Sequence, residues 1–383
     1  MELVLDAAEA DGKVSAGAVP EPCADEFTVA LNALERHYLN SSTQRDFKHL
    51  LAKERMGRAF TLAGFGLALV HPLLGAVGFC VGLLSRWLLA HHVLHGGYDR
   101  VPGIPKRYTS RGFAQGHRRW LDWFDWIPPQ AWSHEHNLLH HYYTNEVKDP
   151  DLLEANARLM RGWRIPVFLK WSALFLIACT WKLTYYSVNV LNHLEAKAGG
   201  SKPIKPITLT NFYDLRLPLV RKWIRVCILP YFSVHFVVLP LLFLPLGWWA
   251  VGSVFWARVL GELLHNLHMF LVIVPNHAGE DVTRFECRFQ GRGEFYRRQI
   301  LGTANYQCGN EWLDYSQMWL NYQIEHHLFP RLTMLQYREV QPKVKALCAE
   351  HGLPYIQENL FRRVVKMVAI STGKASMVRS QEG

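Results

Sequence analysis

The fold class this sequence predicts is an all-α integral membrane protein: two transmembrane helical hairpins, about four spans, with interfacial helices and a cytoplasmic helical cap. Three observations predict it. Residues 59 to 85 and 226 to 257 carry no charge, and the second stretch reads "VCILPYFSVHFVVLPLLFLPLGWWAVGSVFWA". A helix needs about 20 predominantly apolar residues to cross a bilayer, and each stretch exceeds that. Composition agrees, with 50% of residues hydrophobic and only 19% charged, below the roughly 25% charged of an ordinary soluble domain. Lys and Arg are absent around 71 to 78 and 244 to 252 but abundant in 96 to 165, 182 to 225 and 278 to 383. Positive residues collect on the cytoplasmic side, so the first two segments are short outer turns and the last three lie inside. The net charge of +10 is therefore mostly topology, and no nucleic-acid partner is expected.

The elements follow in order. Residues 1 to 26 are acidic, without the basic start and apolar core of a signal peptide, and read as a mobile N-terminal tail. Residues 27 to 56 alternate apolar and charged positions at helical spacing, which predicts an interfacial helix pair broken near 40 to 43. The first hairpin turns near Pro72; its first limb, from about Met56, is short for a span, and its second reaches about His91. Residues 164 to 192 carry Lys170 and Lys182 among aromatics. Both flanking segments are placed inside, so this stretch is expected to be interfacial or re-entrant. The second hairpin has limbs at about 222 to 245 and 248 to 275, and turns at "LPLG". Arg258 and Glu262 lie four apart on its second limb, where pairing would lower the cost of charge at membrane depth. Residues 27 to 370 are read as one domain, followed by a tail from 371 to 383. The seven cysteines are scattered, with no C-x-x-C pair, so neither a disulfide framework nor a thiolate zinc site is indicated.

The 19 histidines collect in three stretches: "HHVLH" (91 to 95), "HEHNLLHH" (134 to 141) and "QIEHH" (323 to 327). A single candidate, His277, stands in "VIVPNHAGED". Topology places all four on one side of the membrane. His91 and His95 are four apart, as are His136 and His140, so each pair shares a helix face. His141 and His327 follow His140 and His326 directly, and on a helix they diverge by about 100 degrees. Adjacent histidines suit two metal ions better than one. His91, His95, His136, His140, His141, His277, His326 and His327 make eight imidazoles, too many for one four-coordinate zinc. The cap is thus expected to hold a di-metal site. Gln323, three before the last pair, is placed to ligate weakly or to hold a water. Imidazole suits zinc, copper, iron and nickel alike, so the donor set leaves the metal open. Asp99, Glu135, Asp149, Asp151, Asp281 and Glu325 lie near the boxes, and a carboxylate on the outer ring N–H fixes a ligand's tautomer. His92 and His134 sit off the matching positions and are read as neighbours. His265 and His268 are intramembrane polar residues, expected to line a cavity or bond to a neighbouring helix.

The order H-x-x-x-H, H-x-x-x-H-H, Q-x-x-H-H, with a lone histidine before the last box and paired hairpins between, resembles the membrane fatty-acid desaturase family. "HNLLHHYYTNEVKDPDL" and "NYQIEHHLFPRL" are especially similar to it, the latter to the subgroup with glutamine opening the third box. The likeness covers roughly residues 85 to 365 and is closest to stand-alone members, since no H-P-G-G haem motif is visible. His92 departs from the aspartate or asparagine the family often places there. The resemblance implies a non-haem centre of two Fe ions bound by the eight histidines, with O2 as co-substrate, removing two hydrogens from a fatty acyl chain. No flavin or nicotinamide fingerprint stands in the sequence; "GRGEF" and "GYDRVPG" do not make a G-x-G-x-x-G turn. Electrons are therefore expected from a ferredoxin or a cytochrome b5 with its reductase, to which the basic inner surface is suited. The expected setting is a multi-pass membrane protein among lipid, its active site on the cytoplasmic side. Two other readings stand beside this one: a lipid hydroxylase or ketolase of the same superfamily, and a histidine-rich metal transporter or sensor. The second would place its metal-binding residues through the bilayer, where only His265 and His268 lie. "LFRRVVKMVAISTGK" (360 to 374) is a basic amphipathic stretch suited to headgroups, an electron carrier or solvent.

Overall fold

Capping residues set where the helices begin and end. The computed structural model describes residues 25–199 and 204–380, so the expected N-terminal tail lies almost wholly outside the described residues. Asp25 accepts the Thr28 amide and opens α1 (Glu26–Leu39). Thr43 and Asp46 form a capping box, each side chain taking the other's backbone N–H, and start α2 (Gln44–Val70). The His71 ring accepts from Leu73 N, and Pro72 takes the first position of α3 (Pro72–Leu94), where a missing N–H costs nothing. Further on come α4 (Ser133–His140, continuing as His141–Tyr143), α5 (Arg158–Gly162), α6 (Val167–Gly199), α7 (Pro218–Leu246) and α8 (Trp248–Ile273). After α8 come β1 (Thr283–Arg284), α9 (Gly291–Leu301), α10 (Gln323–Leu328), α11 (Met334–Glu350), α12 (Leu360–Thr372) and β2 (Val378–Arg379).

The chain divides into two compact units. The span unit comprises residues 43–132 and 166–273. Among the described residues four helices are long and apolar enough to cross a membrane: α3, α6, α7, and α8 with the turn after it to His277. The number is the one expected, but its membership differs. α2 is not among the four, because its first half carries "QRDFKHLLAKER" and only about its last fifteen residues are apolar. α6 is among them, extending beyond the expected interfacial stretch to Gly199.

Within the span unit, α2 and α3 pack through small residues. A Cβ on Gly78 would stand 2.7 Å from the Gly64 Cα, and one on Gly57 would stand 2.2 Å from the Ser85 Cβ. Close backbone approach of this kind is what binds helices where lipid offers no hydrophobic drive. α7 is interrupted twice: π-helical turns at Ile224–Ile228 and Ser233–Val238 come just before Pro230 and Pro240. Each proline lacks the N–H its ladder needs and crowds the preceding turn, so the helix widens there.

The expected pairing of Arg258 with Glu262 does not form. Glu262 instead accepts Lys182 Nζ at 2.8 Å, Trp126 Nε1 at 2.9 Å and the Tyr231 hydroxyl at 2.7 Å. Lys182 also reaches Asp125 at 3.0 Å, which accepts Trp87 Nε1 at 3.0 Å. Arg258 turns to the His235 ring and lies over Phe79, 4.7 Å from its centroid. The reason is geometric: Lys182 begins a π-helical turn of α6, Lys182–Tyr186, and its freed amide donates to Asn266 Oδ1 on α8 at 2.7 Å. That bond brings the ammonium group to Glu262, one turn earlier on α8. A buried cation between two carboxylates, all capped by hydrogen bonds, avoids the cost of bare charge. Lys182→Met should therefore destabilise the protein by about 3 kcal/mol or more, seen as earlier loss of the monodisperse peak on heating in detergent. Adding Asp125→Asn and Glu262→Gln to it should recover part of the loss.

The box unit comprises residues up to 42, 133–165 and from 274 onward. Its core includes Leu152, Val282, Ala304, Ile370 and Met377. β1 and β2 pair in parallel, Thr283 with Val378 and Arg284 with Arg379, so residues near the C-terminus are tied beside the His277 loop.

Candidate metal centre

In the span unit, His91 in the last turn of α3 and His95 at its C-cap lie on one side as their spacing predicts, with ring centroids 4.7 Å apart. Both are buried and both pack edge-on to Trp132, at 5.4 and 5.6 Å. His92 is also buried, 5.2 Å from His91.

The box unit brings together the other six. α4 is π-helical from Ser133 to His140, a geometry found mostly at functional sites. It stacks His136 on His140 (5.2 Å, 22°) and turns His141 nearly perpendicular to both, at 83° and 82°. His141 in turn stacks on His327 from α10 (4.2 Å, 11°) and meets His326 edge-on at 4.7 Å. His277 lies 4.7 Å from His140 and 4.8 Å from His327. His140, His277 and His327 each offer a ring nitrogen within 4.8 Å of the others, and His136, His140 and Asp151 form a second such group. All six histidines are buried. The divergence of adjacent histidines is thus realised in the ring planes.

Hydrogen bonds orient these rings. His140 Nδ1 lies 2.9 Å from Asp149 Oδ1, which leaves Nε2 for ligation. Asp149 is itself held by the amides of Asn145 and Asp151 at 2.7 and 2.9 Å. Asn145 adopts the left-handed conformation (φ 57°), and this bend returns the chain to His140. His327 Nδ1 meets Gln299 Oε1 at 3.0 Å and the Thr144 hydroxyl at 3.1 Å, while its Nε2 is buried with no partner among the described residues. His326 Nδ1 lies 3.2 Å from the Tyr337 hydroxyl. Gln323 stands at the edge of the cluster rather than inside it: its Nε2 donates to His277 Nε2 at 2.9 Å and its Oε1 accepts Asn276 Nδ2 at 3.1 Å.

Electrostatics follow from this burial. Burial and the neighbouring His141 hold His327 well below the ordinary histidine pKa, so it is neutral, the state that ligation requires. Burial also disfavours charge on His140, but Asp149 outweighs it and the pKa rises. Glu325 is pushed up to about 7 by burial, against hydrogen bonds from Tyr355 and Asn305. Those bonds, at 2.7 and 2.8 Å, tie Glu325 to the scaffold behind α10.

Of the acidic neighbours, Asp149 bonds a box histidine and Asp151 approaches the same ring at 4.0 Å. Asp99 accepts Ser110, and Asp281 accepts Arg363. His265 is buried on α8 with neither ring nitrogen hydrogen-bonded among the described residues, and it belongs to no ligand-competent group. Gln299, Thr144 and Tyr337 went unforeseen: they lie 28, 183 and 11 residues from the rings they orient. Thr144 alone carried a signal, being four residues beyond His140.

The donor chemistry fits metal: six buried imidazoles, His277 and His327 among them held below the ordinary histidine pKa, with the outer nitrogens of His140, His326 and His327 hydrogen-bonded. The fatty acid desaturase family model matches residues 64–359. The chain belongs to the fatty acid desaturase family. It is 25% identical over 348 residues to the NADPH-dependent stearoyl-CoA 9-desaturase of Mycobacterium tuberculosis, covering 86% of this chain and 75% of that protein. It is 29% identical over 315 residues to the acyl-lipid (7-3)-desaturase of Diacronema lutheri, covering 78% and 62%. A segment of 89 residues is 49% identical to fatty acid desaturase 3 of Bos taurus, covering 23% and 19%. The desaturase is accordingly an oxidoreductase, and its buried histidine clusters fit a di-metal site.

Removing the carboxylate behind a ligand should cost affinity without unfolding the site. Asp149→Asn should weaken metal retention by about 10- to 100-fold, measured as metal content of purified protein against a graded chelator.

Proposed function

We propose that this desaturase removes two hydrogens from a fatty acyl chain at a pair of iron ions, for which the box unit offers His136, His140, His141, His277, His326 and His327 and the span unit offers His91 and His95. The observation that carries the reading is the buried triad of His140, His277 and His327, each offering a ring nitrogen within 4.8 Å of the others, with Nε2 of His327 unbonded among the described residues. Bound irons with O2 supply the oxidant for an unactivated C–H bond, chemistry beyond any side-chain acid or base. The balance is a CH2–CH2 unit, O2, two electrons and two protons going to a CH=CH unit and two waters. The chain's own residues orient and enclose. Asp149, Gln299, Thr144 and Tyr337 hold ring nitrogens in their tautomers, and burial of all six box-unit imidazoles keeps bulk water out. Gln323, hydrogen-bonded to His277 at the edge of the cluster, would serve as a weak ligand or hold a water.

Electrons come from outside, through a ferredoxin or a cytochrome b5 with its reductase; the NADPH dependence in the mycobacterial relative's name supports a pyridine nucleotide as their source. The relatives' names divide between a CoA-borne and a lipid-borne acyl chain, so both forms belong in the assay. We place the site on the cytoplasmic side. His140 and His277 share one group, which requires an even number of crossings between them. Three apolar helices lie in that interval, and α6, the least apolar of the four candidates, is read as the one that does not cross.

Expression in a host of known fatty-acid profile, followed by mass spectrometry, tests the reading. A new double bond without added oxygen is expected; a product one oxygen heavier would overturn it in favour of hydroxylation. His136→Ala, His141→Ala and His327→Ala should each abolish the product while the protein stays in the membrane fraction. His92→Ala and His134→Ala should retain it.

A further inference from the structure

The amphipathic C-terminal helix is absorbed by neither the fold nor the metal centre. α12 begins at Asn359, whose side chain accepts the Phe361 amide, and ends at Gly373 in the left-handed conformation. Its inner face is Arg363, Met367 and Ile370, all buried. Arg363 donates to both Asp281 oxygens at 2.7 and 2.8 Å and to Ala278 O at 2.7 Å, and Lys366 reaches Asp281 at 2.7 Å. These contacts hold the loop that carries His277. The outer face is different: Phe361 is 77% and Val365 69% exposed, one turn apart, with Arg362 exposed between them.

α5 packs beside α12. Arg161 donates to Ile370 O and, at 3.1 Å, to Ala375 O. Around that contact Leu159 is 67% and Trp163 42% exposed, and Arg158 and Arg164 are exposed as well. Trp163 precedes by four residues the start of α6, the apolar helix read above as not crossing. The combined surface therefore carries large apolar side chains and three arginines, and none of these three makes an ion pair among the described residues. The acidic groups beside it, Glu154, Asp281 and Glu358, are all engaged by Arg161, Arg284, Arg363 or Lys366.

We propose that α12 and α5 form a lipid-binding surface that rests on the membrane. Phe361, Val365, Leu159 and Trp163 enter the boundary between headgroups and acyl chains, and Arg158, Arg164 and Arg362 take up anionic headgroup phosphates. Exposed apolar side chains on two packed helices, beside arginines with no ion pair among the described residues, match a negatively charged bilayer surface. A docking face for a soluble redox carrier would be selected for charge, and the four large apolar residues would be a cost in its absence. The surface also fixes the height of the His277 loop above the headgroups, since the same helix grips both. The inference needs only that the protein sits in a membrane, and its failure would leave the proposed catalysis untouched.

The test uses the whole protein in lipid nanodiscs with a photoreactive benzophenone side chain replacing Phe361, and a control replacing the exposed Glu350. After illumination, mass spectrometry of the peptide containing position 361 should show a phospholipid adduct, with higher yield when phosphatidylglycerol is mixed into phosphatidylcholine. The control should show none. Arg158→Gln with Arg362→Gln should reduce the preference for phosphatidylglycerol by about fivefold per arginine, the equivalent of about 1 kcal/mol each, while metal content stays unchanged. No lipid adduct at 361 in either lipid, an adduct to protein instead, or an adduct indifferent to lipid charge and to both substitutions would overturn the proposal.

Discussion

The constraint on which the rest of this structure depends is that many imidazoles must be buried together. A histidine alone in water titrates near neutrality, and a cluster of protonated rings at centroid distances near 5 Å would repel. Burial drives His327 to its neutral form, yet burial without partners would leave polar atoms costly. The protein resolves this by giving outer nitrogens fixed hydrogen bonds and turning the others inward. Asp149 serves His140, Gln299 and Thr144 serve His327, and Tyr337 serves His326. The supports come from scattered parts of the chain, so the cluster exists only when the box unit is folded.

A second polar problem, in the span unit, has the same kind of solution. Lys182, Asp125 and Glu262 would each be prohibitive alone at low dielectric. Together with Trp87, Trp126 and Tyr231 they form a closed set of bonds. The apolar helices then meet through glycine faces on one side and through this network on the other. The two kinds of contact divide the labour, shape complementarity for α2 and α3, charge satisfaction for α6 and α8.

The clustering of the histidines was legible in the sequence because helical geometry converts short spacing into direction. His91 with His95, and His136 with His140, show this locally. The burial of six box-unit histidines in one cluster also follows the reading, although π-helical geometry in α4 was invisible: its hydrogen-bond pattern leaves no compositional trace. Orienting residues such as Gln299 were unreadable because their role is a long-range contact, and glutamine on a helix has no distinctive pattern. Arg258 with Glu262 failed for a related reason. Four-residue spacing makes a pair possible, but Lys182, some eighty positions away, competes for the carboxylate and takes it. α6 was expected at the interface because both flanking segments were placed inside, and it runs to Gly199, beyond the stretch expected.

The bond from the Lys182 amide to Asn266 divides that position into two independent functions. Its backbone latches α6 to α8, and its side chain neutralises two acids. Any amino acid with a main-chain N–H supplies the first, whereas only a cation supplies the second. Substitutions at 182 should therefore leave the junction of the two helices in register while altering its electrical character, and proline alone would undo the splice itself.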